Sequence, residues 1–120
     1  MEIFLHFYAI KDGELKAHQT LGDNPERVAA VEKNAGAIAF TSVGAVEQAI
    51  RAGHAVRTLP VEGRAATSRN MRTESYPLTK PLLLLTRAAP TGLAKDFINF
   101  TLSPAAADVI RKYSFVPDVD

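Results

Sequence analysis

The sequence predicts an α/β domain, because short apolar runs alternate with segments that carry helix caps and helical spacing. Apolar runs at 37–40 and 82–86, and less regular runs at 16–21 and 56–60, have the length of strands and are each followed by turn or capping residues. The segments between them begin with Ser, Thr, Asp or Asn and place apolar residues on one face. The chain has 120 residues and no linker-like tract, so we expect one domain with a modest core.

The first third is predicted to contain two helices around a short strand. Residues 2–9 form the first helix, and residues 16–21 form the strand. Asp23 or Asn24 caps the second helix, and Pro25 suits its first turn because the missing amide proton is not needed there. An Asn-Ala-Gly turn ends this helix after residue 33.

The middle of the chain is predicted to be strand, helix and strand. The apolar run 37–40 is interpreted as a buried strand. Thr41 or Ser42 then caps a helix over 43–52, and Gly53 stops it. Residues 56–60 are expected to form the next strand.

The last third contains the strongest strand prediction, at 82–86, after a short polar helix at 67–73. Two helices follow, one from Gly92 to Leu102 and one that starts at Ser103-Pro104, a hydroxyl cap followed by proline. Their spacing predicts that a wide apolar face lies in the core: Leu93, Phe97, Ile98, Phe100, Leu102, Val109, Ile110 and Tyr113.

Composition excludes several classes of function. Fourteen Lys and Arg against 13 Asp and Glu give a net charge of +1, which offers no electrostatic reason to expect nucleic acid as a partner. The absence of cysteine excludes disulfides and thiolate metal sites. The chain as written starts without a signal peptide, and it is therefore expected in the cytoplasm.

No pattern for catalysis stands out. His6, His18 and His54 share no helical face with an acidic partner, so no metal site is predicted. There is no Gly-x-Ser-x-Gly elbow and no glycine-rich phosphate loop. We therefore expect a protein that is not an enzyme, with no catalytic residue and no cofactor.

Thr41 and Ser42 are the candidate ligand-binding residues. They begin a helix, whose unpaired amides and dipole favour an anion, at the carboxyl end of a predicted strand. The start at Asp23-Asn24 is a weaker candidate, because a carboxylate repels an anion. The basic residues between 64 and 87 are interpreted as solvated surface: Arg64, Arg69, Arg72, Lys80 and Arg87.

Five segments in order resemble the phosphate-type substrate-binding proteins of ABC transporters, within the type II periplasmic binding protein family. They are Gly-Ala-Ile-Ala-Phe-Thr at 36–41, Leu-Pro-Val-Glu-Gly at 59–63, Tyr-Pro-Leu-Thr-Lys-Pro-Leu at 76–82, Phe-Ile-Asn-Phe-Thr-Leu-Ser-Pro at 97–104 and Ser-Phe-Val-Pro at 114–117. The resemblance implies one lobe of a two-lobed protein, with a mixed sheet flanked by helices and C-terminal helices from the inter-lobe crossover. Residues 1–120 would then be a single partial domain.

The resemblance also implies a ligand, a partner and a location. The full-length parent would bind phosphate or a similar oxyanion, deliver it to an ABC permease, and lie in the periplasm or outside the cell at the membrane. The family's Ser-Gly-Thr turn, which grips the anion, would precede Met1. Ligand binding is therefore expected to be impaired in the isolated chain.

Without a first lobe, the apolar C-terminal elements are expected to lack a partner. We therefore expect a homodimer that pairs through the leucines at 82–85 and the face of the following helix. The alternative hypothesis is an oligomerising protein-interaction module that has lost ligand binding.

Overall fold

The computed structural model describes residues 2–119 and contains six helices within that range. They are α1 (Glu2–Phe7), α2 (Asn24–Lys33), α3 (Val43–Arg51), α4 (Ser68–Arg72), α5 (Gly92–Thr101) and α6 (Pro104–Lys112). The longest have 10 residues, whereas a bilayer requires about 20. None of the described helices could therefore cross a membrane.

The predicted helix boundaries are confirmed where a side chain caps the helix. The side chains of Asp23, Ser42 and Thr67 accept hydrogen bonds from first-turn amides of α2, α3 and α4. Gly53 ends α3 with a φ of +91°, a conformation that favours glycine. Its amide donates to the carbonyl of Ile50, and the amide of His54 donates to Ala49.

The predicted α/β fold with a mixed sheet is wrong for the described residues. Between residues 2 and 119, the only β pairing is an isolated antiparallel bridge from Val61 to Arg64. A strand is stable only when a neighbouring segment pairs with its amides and carbonyls. The four predicted strands satisfy the local pattern, but no segment within this range lies alongside them as a ladder.

The predicted strands are also more exposed than core strands would be. Ile38, in the run interpreted as buried, is 77% exposed. Leu82, Leu83 and Leu85 are 75%, 69% and 89% exposed. These side chains lie at the surface of a segment that is neither helix nor strand, and within residues 2–119 this segment joins no sheet.

The core is small and lies around α3. Its buried apolar members are Val28, Ala45, Val46, Ala66, Tyr76, Ala106 and Ala107. The prediction that Phe97, Phe100 and Tyr113 are core residues is wrong, because all three are more than half exposed. The small alanines of α6 are buried instead, and α5 and α6 pack mainly on each other.

The chain exposes more surface than a globular protein of its size. Its accessible surface is 9360 Å², against about 6300 Å² for a folded monomer of 13.0 kDa. Its radius of gyration is 16.6 Å, against about 13.6 Å for a compact domain of this length. An excess of roughly 3000 Å² is consistent with elements that lack a covering partner.

Helix α3 holds the C-terminal tail through a close backbone approach. A Cβ placed on the buried Gly44 would lie 2.5 Å from the carbonyl oxygen of Ser114. Nearby, the Gln48 side-chain amide donates to the carbonyl oxygen of Arg111 at 2.5 Å. The tail can therefore pack against α3 only while position 44 has no side chain.

We predict that Gly44→Ala destabilises the protein. Alanine gains up to about 1 kcal/mol in helix propensity, but overpacking against backbone costs about 1–3 kcal/mol. The free energy of unfolding in urea should fall by about 1–2 kcal/mol.

Gly36→Ala is the matched control, because its Cβ would meet only the Asn34 side chain at the ordinary distance of 3.6 Å. A Gly44→Ala variant as stable as Gly36→Ala would contradict the close approach.

Candidate functional site

Thr41 and Ser42 lie at the start of α3, beside the start of α2. Ser42 is the N-cap of α3, and its hydroxyl accepts a hydrogen bond from the amide of Ala45 at 3.4 Å. Both residues are partly buried. The helix start expected from the sequence is therefore present, whereas the strand expected to lead into it is not.

Asn24 joins the two candidate residues to α2. Its side-chain amide donates to the hydroxyl of Ser42 at 3.1 Å, and its carbonyl oxygen accepts from the hydroxyl of Thr41 at 2.9 Å. Arg27 spans the same region and donates to the carbonyl oxygens of Phe40 and Gly22, at 3.3 and 2.6 Å. The starts of two helices are thus linked by side chains of both.

These bonds determine what the pair could offer a ligand. The Thr41 hydroxyl donates its proton to Asn24, so toward a ligand it can act only as an acceptor. The Ser42 hydroxyl accepts from Asn24 and Ala45, which leaves its proton to be donated. The first-turn amides of α3 have no carbonyl acceptor within their own helix. An oxyanion that can only accept hydrogen bonds would therefore find donors in the Ser42 hydroxyl and in the first-turn amides of Val43 and Gly44.

The weaker candidate, Asp23-Asn24, forms the adjacent helix start. Asp23 is exposed, and its carboxylate accepts from the amide of Glu26 at 3.1 Å. That negative charge opposes an anion at this end of α2. Asn24 was predicted as a helix cap and as part of this weaker candidate. The Asn-Pro pair in the sequence indicates a helix start, but it does not predict the bonds from Asn24 to Thr41 and Ser42.

The histidines do not form a metal centre in the described part of the chain, where no three His, Asp or Glu side chains cluster. His54 Nδ1 lies 2.8 Å from Glu32 Oε2, and the amide of Ala55 donates to Oε1 at 2.9 Å. The hydrogen bond with His54 lowers the pKa of Glu32 below its ordinary value, and the Ala55 amide adds to this effect. The pair links α2 to the segment after α3.

A second concave region contains arginines that are far apart in sequence. Arg51, Arg72 and Arg111, from α3, α4 and α6, line one cleft of about 200 Å³ together with Ser68 and Phe115. The interpretation of Arg72 as simple solvated surface missed this grouping. No sequence signal could have found it, because the three positions are brought together only by helix packing.

The chain is similar to curated phosphate-binding proteins. It is 28% identical over 88 residues to the phosphate-binding protein PstS 2 of Streptococcus agalactiae serotype V, covering 72% of this chain and 28% of that protein. It is 28% identical over 112 residues to PstS 2 of Streptococcus pneumoniae serotype 4, covering 88% of this chain and 36% of that protein. The chain spans about a third of the length of these relatives.

No protein-family model matches the chain, and no solved structure matches it. The likeness therefore rests on curated relatives that are phosphate-binding proteins and not enzymes. These relatives confirm the prediction of a non-enzyme. They also confirm the predicted resemblance as far as a likeness to phosphate-binding proteins.

We predict that Ser42→Ala lowers the free energy of unfolding by about 1 kcal/mol, because it removes a working N-cap. Asn24→Ala should also destabilise, and the double variant should lose less than the two single losses added, because both remove the same bond. Urea denaturation of the three variants measures the coupling.

Thr91→Ala provides the control, because Thr91 occupies the N-cap of α5 without a side-chain capping bond. Equal losses for Thr91→Ala and Ser42→Ala, or strictly additive losses for the pair, would contradict the linked helix starts.

Proposed function

We propose that this chain is the C-terminal portion of a solute-binding protein of the type II periplasmic binding protein family, with a role in phosphate transport. The observation that carries the proposal is the similarity to two PstS 2 proteins over 72–88% of this chain. In a longer parent protein, this portion would help bind phosphate or a related oxyanion and deliver it to an ABC permease. That parent would act in the periplasm or outside the cell at the membrane.

The start of α3 supports an anion as the ligand, and Thr41 and Ser42 are the proposed ligand-binding residues. Ser42 has a proton to donate, and the first-turn amides of Val43 and Gly44 lie beside it, whereas the amide of Ala45 already donates to Ser42. A single helix start with one hydroxyl supplies few donors, and Thr41 is already committed to Asn24. We therefore expect weak binding by residues 1–120 alone, which form a single partial domain in this proposal.

The test is a titration of the ¹⁵N-labelled chain with inorganic phosphate, followed by amide chemical shifts at matched ionic strength. We expect shifts at residues 41–44 that saturate only above about 1 mM, equivalent to about −4 kcal/mol. Ser42→Ala should abolish these shifts, and Thr91→Ala should leave them unchanged.

Micromolar affinity would overturn the proposed impairment. Saturating shifts that survive Ser42→Ala would remove residues 41 and 42 from the proposed site. The absence of any saturating shift at residues 41–44 would favour the second candidate function.

The second candidate is an association module formed by two copies of this chain. It is favoured by the exposed leucines at 82–85 and by the exposed face of α5, with Leu93 at 86%. A standard interface buries about 800 Å² on each partner, well within the roughly 3000 Å² of excess surface. A segment with the composition of a strand and no ladder can pair with the same segment of a second copy.

We predict a dimer at about 100 μM in light scattering, which dissociates on dilution as mass action requires. Leu85→Lys should give a monomer, because a charge would be buried in the interface. Ile38→Lys is the matched control, since Ile38 is also a highly exposed aliphatic residue, at 77% against 89% for Leu85, and lies outside the C-terminal elements.

A monodisperse monomer at this concentration would refute the association module. A dimer disrupted by Ile38→Lys and not by Leu85→Lys would place the interface elsewhere.

A further inference from the structure

A cleft between α3, α4, α6 and the C-terminal tail brings three arginines together. Its volume of about 200 Å³ is that of roughly seven water molecules at about 30 Å³ each. Its walls combine basic, polar and apolar side chains: Arg51, Arg72, Arg111, Glu47, Gln48, Ser68, Phe115 and Pro117, with Gly44 at the base of α3. Three guanidinium groups against one carboxylate give this lining a formal charge of +2.

The single carboxylate is already engaged. Glu47 Oε1 accepts from the amide of Ser68 at 2.8 Å, and Oε2 accepts from the Ser68 hydroxyl at 2.5 Å. Arg51 Nη2 lies 3.9 Å from the same carboxylate, at the outer limit of an ion pair. Glu47 thus fixes α4 to α3, while its ion pair with the exposed Arg51 side chain is long and weak.

Arg111 has an exposed partner that a ligand can replace at low cost. Arg111 Nη1 lies 3.2 Å from the carboxylate of Asp108, whose side chain is almost fully exposed. Such exposed pairs contribute little, typically about 0–1 kcal/mol. Arg72 and Arg111 make additional interactions, so a bound anion would exchange with existing contacts.

The backbone around the cleft is held in place independently of the arginines. Gln48 donates to the carbonyl oxygen of Arg111, and Gly44 packs against the backbone at Ser114. These contacts fix the end of α6 against α3, which carries Arg51. Guanidinium groups on fixed helices can bind phosphoryl oxygens in a bidentate manner.

We propose that this cleft binds a small phosphate monoester. The guanidinium groups of Arg51, Arg72 and Arg111 hold the phosphoryl oxygens, and the Ser68 hydroxyl lies beside them. Phe115 and Pro117 form an apolar wall that an organic group would cover and that inorganic phosphate would leave in water. Gly44, in the first turn of α3, lines this cleft, whereas Thr41 and Ser42 do not, and the proposal does not depend on phosphate transport.

The probes are phenyl phosphate and inorganic phosphate, each titrated into the full chain by calorimetry in a phosphate-free buffer. We expect phenyl phosphate to bind with a Kd below about 1 mM, and at least about fivefold more tightly than inorganic phosphate. Arg51→Gln and Arg111→Gln should each weaken binding about tenfold, as expected for a charged hydrogen bond. Phe115→Ala should remove the preference for the phenyl ester.

Arg57→Gln is the matched control, because it removes the same charge from an exposed position outside the cleft. Arg51→Lys keeps the charge but loses bidentate geometry, so an intermediate affinity would support direct recognition. Thermal melting of each variant verifies that it is folded.

Four outcomes would overturn the proposal. They are no saturation by about 10 mM phenyl phosphate, equal weakening by Arg57→Gln, equal affinity for the two probes, and loss of binding in Ser42→Ala. Loss of binding in Ser42→Ala would show that the anion binds at the start of α3 and not in the cleft. Failure of the cleft site is therefore distinguishable from failure of the proposed phosphate role.

Discussion

Helix α3 is the element on which the remaining contacts of the chain depend. Its start is tied to α2 through Asn24, and its middle binds the α4 start through Glu47. Its buried face admits the C-terminal tail only because position 44 is glycine. In a chain whose buried residues are mostly alanine and valine, such specific polar and steric contacts determine the arrangement more than apolar volume does.

Helix caps could be predicted from the sequence, whereas the pairing of strands could not. Caps such as Asp23 and Ser42 act within three residues of themselves, so their residue types suffice to place a helix start. A strand depends on a neighbour that can lie anywhere in the chain or outside it. The run at 82–86 has the composition of a strand, but no part of residues 2–119 forms a ladder with it, and the α/β prediction failed for that reason.

The candidate sites also differ in whether one segment or several segments form them. Thr41 and Ser42 could be proposed from the sequence because a helix start is a local feature with known affinity for anions. The role of Asn24 required the packing of α2 beside α3, and the grouping of Arg51 with Arg111 required three helices and the tail. A pattern-based search is therefore sensitive to sites that one segment forms, and it misses those that several segments assemble.

The unpaired leucine stretch has a consequence for the lifetime of the chain in a cell. Proteases bind their substrates as extended strands, and residues 82–85 are exposed and lie outside the described helices, between Pro81 and Pro90. Cleavage there requires no prior opening of the fold. The degradation rate of the free chain would then depend on how accessible this stretch is to proteases, and not on the global folding equilibrium. A partner that covers the leucines would slow degradation without changing the intrinsic stability of the chain.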